Sequence, residues 1–272
     1  MPLSNMRDLL NKARAGNYAV GSFSVTNLES VMGVIAAAEE HRAPIIIQCA
    51  EPRLKCTPLS MLGPLMTAAA SQASVPVAVH LDHGATLPCV REALDIGFTS
   101  VMLDASALPL EENIALVRRV VEMAKASGAA VEAEVGRVGR GEDGSDSPEE
   151  AASVADCFRM EETGIDALAV GISNAHGLYA ATPELRYDIL EQLGGLKTHL
   201  VLHGGTGLTD EQFRRLIRLG MRKINIATDI FRAAALAGHS DNIFSNITAA
   251  SDAVKAVTKR YIALFGSAGK AE

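Results

Sequence analysis

The feature of this 272-residue chain that most constrains its fold is the regular alternation of short apolar runs with longer amphipathic segments. Most of the short runs are apolar throughout and rich in β-branched residues, which is typical of parallel strands buried on both faces. The predicted strands are Ala19–Val25, Pro44–Cys49, Pro76–Asp82, Ser100–Asp104, Ala130–Val135, Ala167–Ile172, His199–Gly204 and Lys223–Ala227. The predicted helices are Leu28–His41, Ser60–Ala73, Leu87–Asp95, Leu110–Ser127, Pro148–Thr163, Pro183–Leu193, Thr209–Leu219, Asp229–Ala237 and a C-terminal helix near Ala249–Phe265.

Eight strands alternating with eight helices predict an α/β fold, a closed (β/α)8 TIM barrel with an extra C-terminal helix. Such a barrel takes about 250 residues, so we expect residues 1–272 to form a single domain. A doubly wound open sheet is the alternative, but it seldom contains eight strands in this order. Helix-start signals agree with the alternation, since Thr209-Asp-Glu-Gln212 is a capping box and Pro148 predicts another helical first turn.

Composition narrows the class of partner. The net charge is −7 and no basic cluster occurs, which argues against nucleic-acid binding. No window of ~18 uninterrupted apolar residues occurs, so no membrane-spanning helix is predicted. The four cysteines form no Cys-x-x-Cys pair, and the first residues contain no apolar signal-peptide core. We therefore expect a cytoplasmic protein with reduced thiols that acts on a small molecule.

Three histidines follow predicted strands and are each followed by glycine: His83, His176 and His203. A single histidine at a strand end is more often structural than a metal ligand. In a barrel, however, the carboxyl ends of the strands converge on one site, so three imidazoles in these positions favour a shared metal. Three protein ligands with an open fourth position are typical of catalytic zinc. The other histidines receive no ligand role, and His80 is interpreted as a hydrogen-bonded core residue.

Carboxylates accompany these histidines. Asp82 precedes His83 and is a candidate proton-transfer group, although neighbours on an ideal strand point to opposite sides. Both side chains reach one site only if the strand ends there, which Gly84 permits. Asp104, at the end of the fourth predicted strand, is a candidate to orient a ligand imidazole.

Further acids follow or occupy the fifth predicted strand. Glu132 and Glu134 lie on one side of that strand, and either could support or ligate a metal. Glu142 lies in the polar, glycine-rich loop 136–148, so it is either an acid/base group that arrives when the loop closes or a solvated loop acid.

The segments His203-Gly-Gly-Thr-Gly207 and Asn225-Ile-Ala-Thr-Asp229 follow the seventh and eighth predicted strands. Barrels often bind phosphate there, through backbone N–H groups and a helix N-terminus. Two ordinary strand-to-helix turns are the alternative interpretation. The position favours a phosphate site, to which Thr206 and Thr228 could add hydroxyl groups.

Together these residues resemble the class II, zinc-dependent aldolases, specifically the fructose- and tagatose-bisphosphate aldolase family, over almost the whole chain. The motifs that carry the resemblance are His80-Leu-Asp-His-Gly84, Val131-Glu-Ala-Glu-Val-Gly136, Asn174-Ala-His-Gly177, His203-Gly-Gly-Thr-Gly207 and Lys223-Ile-Asn-Ile-Ala-Thr228. The resemblance implies reversible aldol cleavage of a tagatose- or fructose-1,6-bisphosphate-like sugar, or another ketose 1-phosphate, to dihydroxyacetone phosphate and an aldehyde in carbohydrate metabolism.

The resemblance also implies individual roles. Zn²⁺ is expected on His83, His176 and His203, with Glu134 as an alternate ligand linked to metal movement. Asp82 is expected to exchange the hydroxyl proton of the cleaved bond, and Glu142 to exchange protons with the dihydroxyacetone phosphate carbon. A monovalent cation, Na⁺ or K⁺, and a homodimer or homotetramer are expected as well. The positions expected around the ketose phosphate are Gly177, Gly204, Gly205, Thr206, Asn225, Ile226, Ala227 and Thr228.

Departures from the family pattern concern the far end of the substrate. Thr206 replaces the usual serine and keeps the hydroxyl, whereas Ala227 replaces the aspartate of fructose-bisphosphate-specific relatives. The segment Ile243–Ala250 lacks the arginine expected to grip a distal phosphate. The aldehyde half therefore need not be glyceraldehyde 3-phosphate. The alternative functions are a metal-dependent hydrolase or epimerase, which the missing His-x-His pair on the first strand disfavours, and a non-catalytic sugar-phosphate-binding protein.

Overall fold

Parallel strands form a closed barrel in this protein, as the alternation predicts. The structure is a computed structural model that describes residues 3–139 and 149–272. Within these ranges, eight strands pair in chain order, and the last closes the ring by pairing with the first. The strands are β1 (Val20–Ser24), β2 (Ile45–Ala50), β3 (Val77–Gly84), β4 (Ser100–Leu103), β5 (Ala130–Val135), β6 (Ala167–Val170), β7 (His199–Leu202) and β8 (Met221–Ile226).

Helices alternate with the strands and surround them, which confirms the predicted (β/α)8 barrel with an extra C-terminal helix. The α-helices are α1 (Met6–Gly16), α2 (Leu28–Glu40), α3 (Leu59–Gln72), α4 (Leu87–Ile96), α5 (Leu110–Lys125), α6 (Val154–Glu161), α7 (Tyr187–Gln192), α8 (Asp210–Arg218), α9 (Thr228–Leu236) and α10 (Ile243–Leu264). None of the helices in the described ranges is long and apolar enough to cross a membrane.

Three predicted helix starts are wrong. Helix α7, predicted from Pro183, begins only at Tyr187. The helix predicted from Pro148 begins only at Val154, where the Ser153 side chain caps it. Before that point the backbone of Glu150 exchanges two hydrogen bonds with the backbone of Arg137, which commits it to an extended bridge rather than a helical turn. The C-terminal helix begins earlier than predicted, because the Asn242 side chain accepts hydrogen bonds from two backbone amides of its first turn.

Helix α1 closes the amino end of the barrel and was not predicted from the sequence. Its apolar residues include Met6 and Leu10, which are fully buried with barrel residues such as Ile46 and Val201 in a cluster separate from the outer core. The sequence signal is present, since Asn5 caps the helix through its side chain. This apolar seal leaves only the opposite end of the barrel interior for polar side chains.

Helix α10 packs closely against α2 on the outside of the barrel. A Cβ placed on Gly33 of α2 would lie 2.5 Å from the carbonyl oxygen of Ser251 and 2.8 Å from the Cβ of Val254. Gly33 therefore lets the two helix backbones approach, and any side chain at this position would push α10 outwards.

We predict that Gly33→Ala destabilises the protein by about 1–3 kcal/mol, because overpacking against a backbone outweighs the gain in helix propensity. The measurement is the free energy of unfolding in urea. Gly238→Ala is the matched control, since an added Cβ there meets no atom within 4 Å. Equal stability of the Gly33 variant and the original protein would contradict this account of the contact between α2 and α10.

Candidate active site

The three histidines predicted as ligands come together at the carboxyl end of the barrel. The ring centroid of His83 lies 5.0 Å from that of His176 and 4.5 Å from that of His203, and the remaining pair is separated by 6.2 Å. Each ring offers one nitrogen, and these three nitrogens lie within 4.8 Å of one another. The structure therefore forms the cluster that the strand-end positions predict.

A backbone irregularity brings Asp82 and His83 to the same site. The expectation that the strand ends at this point is wrong, because β3 continues through Gly84. The register between β3 and β4 shifts between Leu81 and Gly84, and His83 adopts a left-handed backbone with φ of 42°. Such a bulge re-aims a side chain that regular alternation would turn away from its neighbour.

His83 is oriented by Asp104, as predicted. Its Nδ1 lies 2.7 Å from Oδ2 of Asp104, whereas its buried Nε2 has no hydrogen-bond partner within the described ranges. Burial opposes a charge on His83, but the carboxylates of Asp82, Asp104 and Glu134 outweigh burial and raise its pKa well above the usual value. Nε2 is thus the nitrogen available to a metal.

His203 is held from the opposite side of its ring. Its Nε2 lies 2.8 Å from Oε1 of Glu132, and its Nδ1 lies 3.2 Å from Oε2 of Glu134. Burial and the nearby His83 act to lower the pKa of His203, yet Glu132, Glu134 and Asp82 raise it to about 9. The hydrogen bond to Glu132 keeps a proton on Nε2, so Nδ1 is the nitrogen that would give up its proton to a metal.

The donor set fits zinc. Three imidazole nitrogens converge; Nε2 of His83 is buried without a hydrogen bond in the described part of the chain, and Nδ1 of His203 faces the Glu134 carboxylate. The surrounding carboxylates give the site a surplus of negative charge that a divalent cation would neutralise. Glu134 also groups with His83 and Asp104 within 4.8 Å, as an alternate ligand position requires.

Asp82 lies beside the cluster, where amide donors hold its carboxylate. It is fully buried, and its two oxygens accept hydrogen bonds from Nε2 of Gln48 at 2.8 Å and Nδ2 of Asn225 at 3.1 Å. Burial opposes ionisation, but the positive charges of His83, His203 and Lys223 hold the pKa of Asp82 below its usual range. Gln48 was not singled out from the sequence, although a lone amide within an apolar strand is a usable signal.

Glycines let the segments after β6, β7 and β8 approach one another. Gly204 has φ of 61°, and a Cβ there would lie 2.3 Å from the carbonyl oxygen of Ala175. A Cβ on Gly205 would lie 2.9 Å from the carbonyl oxygen of Asn225, and Gly177 adopts φ of 81°. Side chains at Gly204 and Gly205 would separate these segments. Two of the glycines predicted to bind phosphate therefore lie in close contact with the backbone of a neighbouring segment.

The remaining predicted phosphate residues lie at or beside the start of α9. Thr206 accepts a hydrogen bond from the backbone N–H of Asp229 at 3.4 Å, which joins the segment after β7 to the first turn of α9. Ala227 and Thr228 are partly exposed at this helix N-terminus, where an anion is favoured. Ile226 differs, because its side chain is fully buried in the outer core and only its backbone could contact a ligand.

Two residues that received no role from the sequence join the segments at the carboxyl end of the barrel. Asn174 donates a hydrogen bond from Nδ2 to the carbonyl oxygen of His203 at 2.8 Å, and Tyr179 donates from its hydroxyl to that of Gly204 at 2.9 Å. The backbone of Gly139 exchanges hydrogen bonds with the segment around His176. The loop that carries Glu142 therefore leaves the barrel beside His176, while Glu142 itself lies outside the described residues.

Comparisons with known proteins agree with this geometry. The family described as fructose-bisphosphate aldolase class-II matches residues 4–270. A fructose-bisphosphate aldolase of Geobacillus stearothermophilus is 41% identical over 289 aligned residues, which cover 100% of this chain and 99% of the relative. A 6-phospho-5-dehydro-2-deoxy-D-gluconate aldolase of Halalkalibacterium halodurans is 41% identical over 244 residues, covering 86% of this chain and 83% of the relative.

A solved structure extends the likeness to the fold. The YdjI aldolase from Escherichia coli K12 superimposes with a TM-score of 0.91 at 35% identity, covering 99% of this chain and 100% of that chain. Sequence and fold thus point to one family along the full length of the chain.

We predict that Asp104→Asn weakens Zn²⁺ binding about 10–100-fold, because the group that orients His83 loses its charge. The measurement is the zinc dissociation constant in competition with a chromogenic chelator. Asp166→Asn is the control, since Asp166 pairs with Arg7 and the backbone of Val131 away from the histidines. Equal zinc affinity in all three proteins would rule out this role for Asp104.

Proposed function

The chain belongs to the class-II fructose-bisphosphate aldolase family and is an aldolase, and we propose that it cleaves a ketose phosphate to dihydroxyacetone phosphate and an aldehyde with the help of Zn²⁺. The observation that carries the proposal is the convergence of one imidazole nitrogen from each of three histidines within 4.8 Å of one another, beside the fully buried carboxylate of Asp82. His83, His176 and His203 would hold the metal, with Glu134 as the alternate ligand.

The chemistry divides between the metal and the chain. A divalent ion bound to the three histidines supplies a Lewis acid for the ketose carbonyl. Asp82, whose oxygens are fixed by Gln48 and Asn225, takes the proton from the hydroxyl of the carbon that becomes the aldehyde. The carbon–carbon electron pair stays with the dihydroxyacetone phosphate half, and Glu142 returns a proton to that carbon.

The phosphate of the ketone half would lie against backbone N–H groups after β6, β7 and β8. The supporting features are the glycines packed on neighbouring backbone and the exposed N-terminus of α9. We propose that the phosphate contacts are made by Gly177, Gly204, Gly205, Thr206, Asn225, Ala227 and Thr228, and by the backbone of Ile226. A monovalent cation near the phosphate and a homodimer or homotetramer are proposed on the family resemblance alone. Residues 1–272 as one domain are proposed on the length of the chain, and a cytoplasmic location on its cysteine usage.

We propose that Arg53 binds the far end of the substrate, in the half that becomes the aldehyde. Arg53 follows β2 and lines a small cavity with Ser24, Thr26 and Phe231, and its guanidinium carbon lies 4.7 Å from the Phe231 ring centroid. The cavity also includes Ala50, the register partner of Asp82 on the neighbouring strand.

Both substrates named for the two bacterial relatives carry an anion at the end remote from the reacting ketone, a phosphate in one and a carboxylate in the other. A guanidinium matches either group through paired hydrogen bonds. We therefore propose a substrate with an anionic far end.

The decisive experiment measures release of dihydroxyacetone phosphate from fructose 1,6-bisphosphate, tagatose 1,6-bisphosphate, 6-phospho-5-dehydro-2-deoxy-D-gluconate and neutral-ended ketose 1-phosphates. We expect release from one or more that EDTA abolishes and Zn²⁺ restores. Asp82→Asn is expected to keep zinc binding and lower kcat by about 10²–10⁴-fold. Absence of release from every substrate by the zinc-loaded protein would contradict the proposed substrate class, and unchanged kcat in the Asp82 variant would contradict its role.

For the far end, we predict that Arg53→Ala lowers kcat/KM about 10–100-fold for substrates with a distal phosphate or carboxylate, because a charge-assisted hydrogen bond is lost. Neutral-ended ketose 1-phosphates should be cleaved at the rate of the original protein. Arg53→Lys is the matched variant, which keeps the charge but not the paired geometry. An equal loss on both substrate types would show that Arg53 does not read the distal anion.

A further inference from the structure

A fully buried ion pair lies inside the barrel beneath the histidine cluster. Lys223 of β8 and Glu132 of β5 are both fully buried, and the ammonium nitrogen lies 2.9 Å and 3.1 Å from the two carboxylate oxygens. Burying two charges is expensive unless both are paired with good geometry. The family resemblance assigns no role to either residue. The free-energy cost of burying both charges suggests that the pair has a specific role.

Glu132 connects this ion pair to the metal ligands. Its Oε1 accepts from Lys223 and lies 2.8 Å from Nε2 of His203, so one oxygen serves both partners. A hydrogen bond to Nε2 places the proton of the neutral imidazole there and leaves the lone pair on Nδ1, which is the nitrogen that faces the cluster.

The other neighbours of Glu132 do not replace Lys223. Nε2 of His80 lies 3.7 Å from Oε2 of Glu132, beyond hydrogen-bond distance, and the Nδ1 of that ring is engaged with Ser100 at 2.9 Å. Among the lysines and arginines in the described ranges, Lys223 is the one that pairs with Glu132. Without the ammonium, the carboxylate would be free to turn from His203 towards other donors.

We propose that Lys223 is a positioning residue for the metal centre: its ammonium fixes the Glu132 carboxylate, which in turn fixes the orientation and tautomer of His203. The proposal rests on the metal site of the proposed function and adds to it a residue of β8, the strand that pairs with β7 below His203. Lys223 contacts neither substrate nor metal in this role.

The test compares zinc affinity, measured by chelator competition, with the visible absorption bands of the Co²⁺-loaded protein, which report ligand geometry. Lys223→Met should raise the zinc dissociation constant about 10–100-fold and shift the cobalt bands, and Lys223→Arg should recover part of both. The matched control is Arg222→Met. Arg222 is the adjacent buried cation of β8, and it binds the carbonyl oxygens of Ile217 and Met221 instead.

Arg222→Met should lower the unfolding temperature of the metal-free protein and leave the zinc dissociation constant and cobalt bands unchanged. If Lys223→Met behaves in the same way, Lys223 is merely structural and the proposal is overturned. Failure of the original protein to bind zinc would overturn this proposal together with the metal centre. A zinc-loaded protein without activity on any tested sugar phosphate would overturn the substrate assignment alone.

Lys223→Met leaves the Glu132 charge unpaired, so this single variant could fail to fold. A double variant then provides the test. Combining Lys223→Met with Glu132→Gln removes both charges and leaves a neutral group of similar shape. We expect this protein to fold and to bind zinc more weakly than the original protein, since an amide is the weaker acceptor for His203 and can present its NH₂ group instead. Zinc affinity equal to that of the original protein would overturn the proposal.

Discussion

Charge matching inside a sealed barrel is the constraint on which the rest of this structure depends. Asp82 and Glu132 are fully buried, and an unpaired ion in such a place costs several kcal/mol. Lys223 neutralises Glu132, whereas Asp82 is held by amide donors and by the positive potential of its neighbours. The groups that pair with these buried carboxylates also fix their orientation. The polar interior of the barrel is therefore preorganised in the absence of substrate. In this barrel the same contacts neutralise buried charge and fix the geometry of the candidate site.

The backbone supplies what regular strand geometry cannot. An ideal strand would turn Asp82 and His83 to opposite faces, and a site that needs both must break the alternation. The register shift before Gly84 does so within the strand, so the pair remains anchored by the sheet on both sides. Gly84 itself packs where a Cβ would lie 2.3 Å from the carbonyl oxygen of Met102. A rigid strand thereby presents two adjacent functional groups that a flexible loop would hold less firmly.

The two ends of the barrel have opposite character. Helix α1 covers the amino end with fully buried residues such as Met6 and Leu10, and the polar side chains lie above this apolar seal. At the carboxyl end, Asn174 and Tyr179 join the segments that follow β6 and β7. Apolar packing therefore closes the amino end of the barrel, and hydrogen bonds hold the segments around the site at the carboxyl end. The loop after β5 leaves the described structure at Gly139, beside His176.

The sequence by itself determined the barrel, the three histidines, and Asp82 and Asp104 as their companions, because periodicity and strand-end position are local properties of a chain. It could not show the bulge at His83, since a register shift depends on the neighbouring strand. Nor could it show that Glu132 meets Lys223, 91 residues away along the chain. Helix starts near Pro148 and Asn242 were also decided by tertiary contacts and capping geometry. Pairings of this kind depend on which side chains face one another across the closed barrel, and only the folded structure sets those distances.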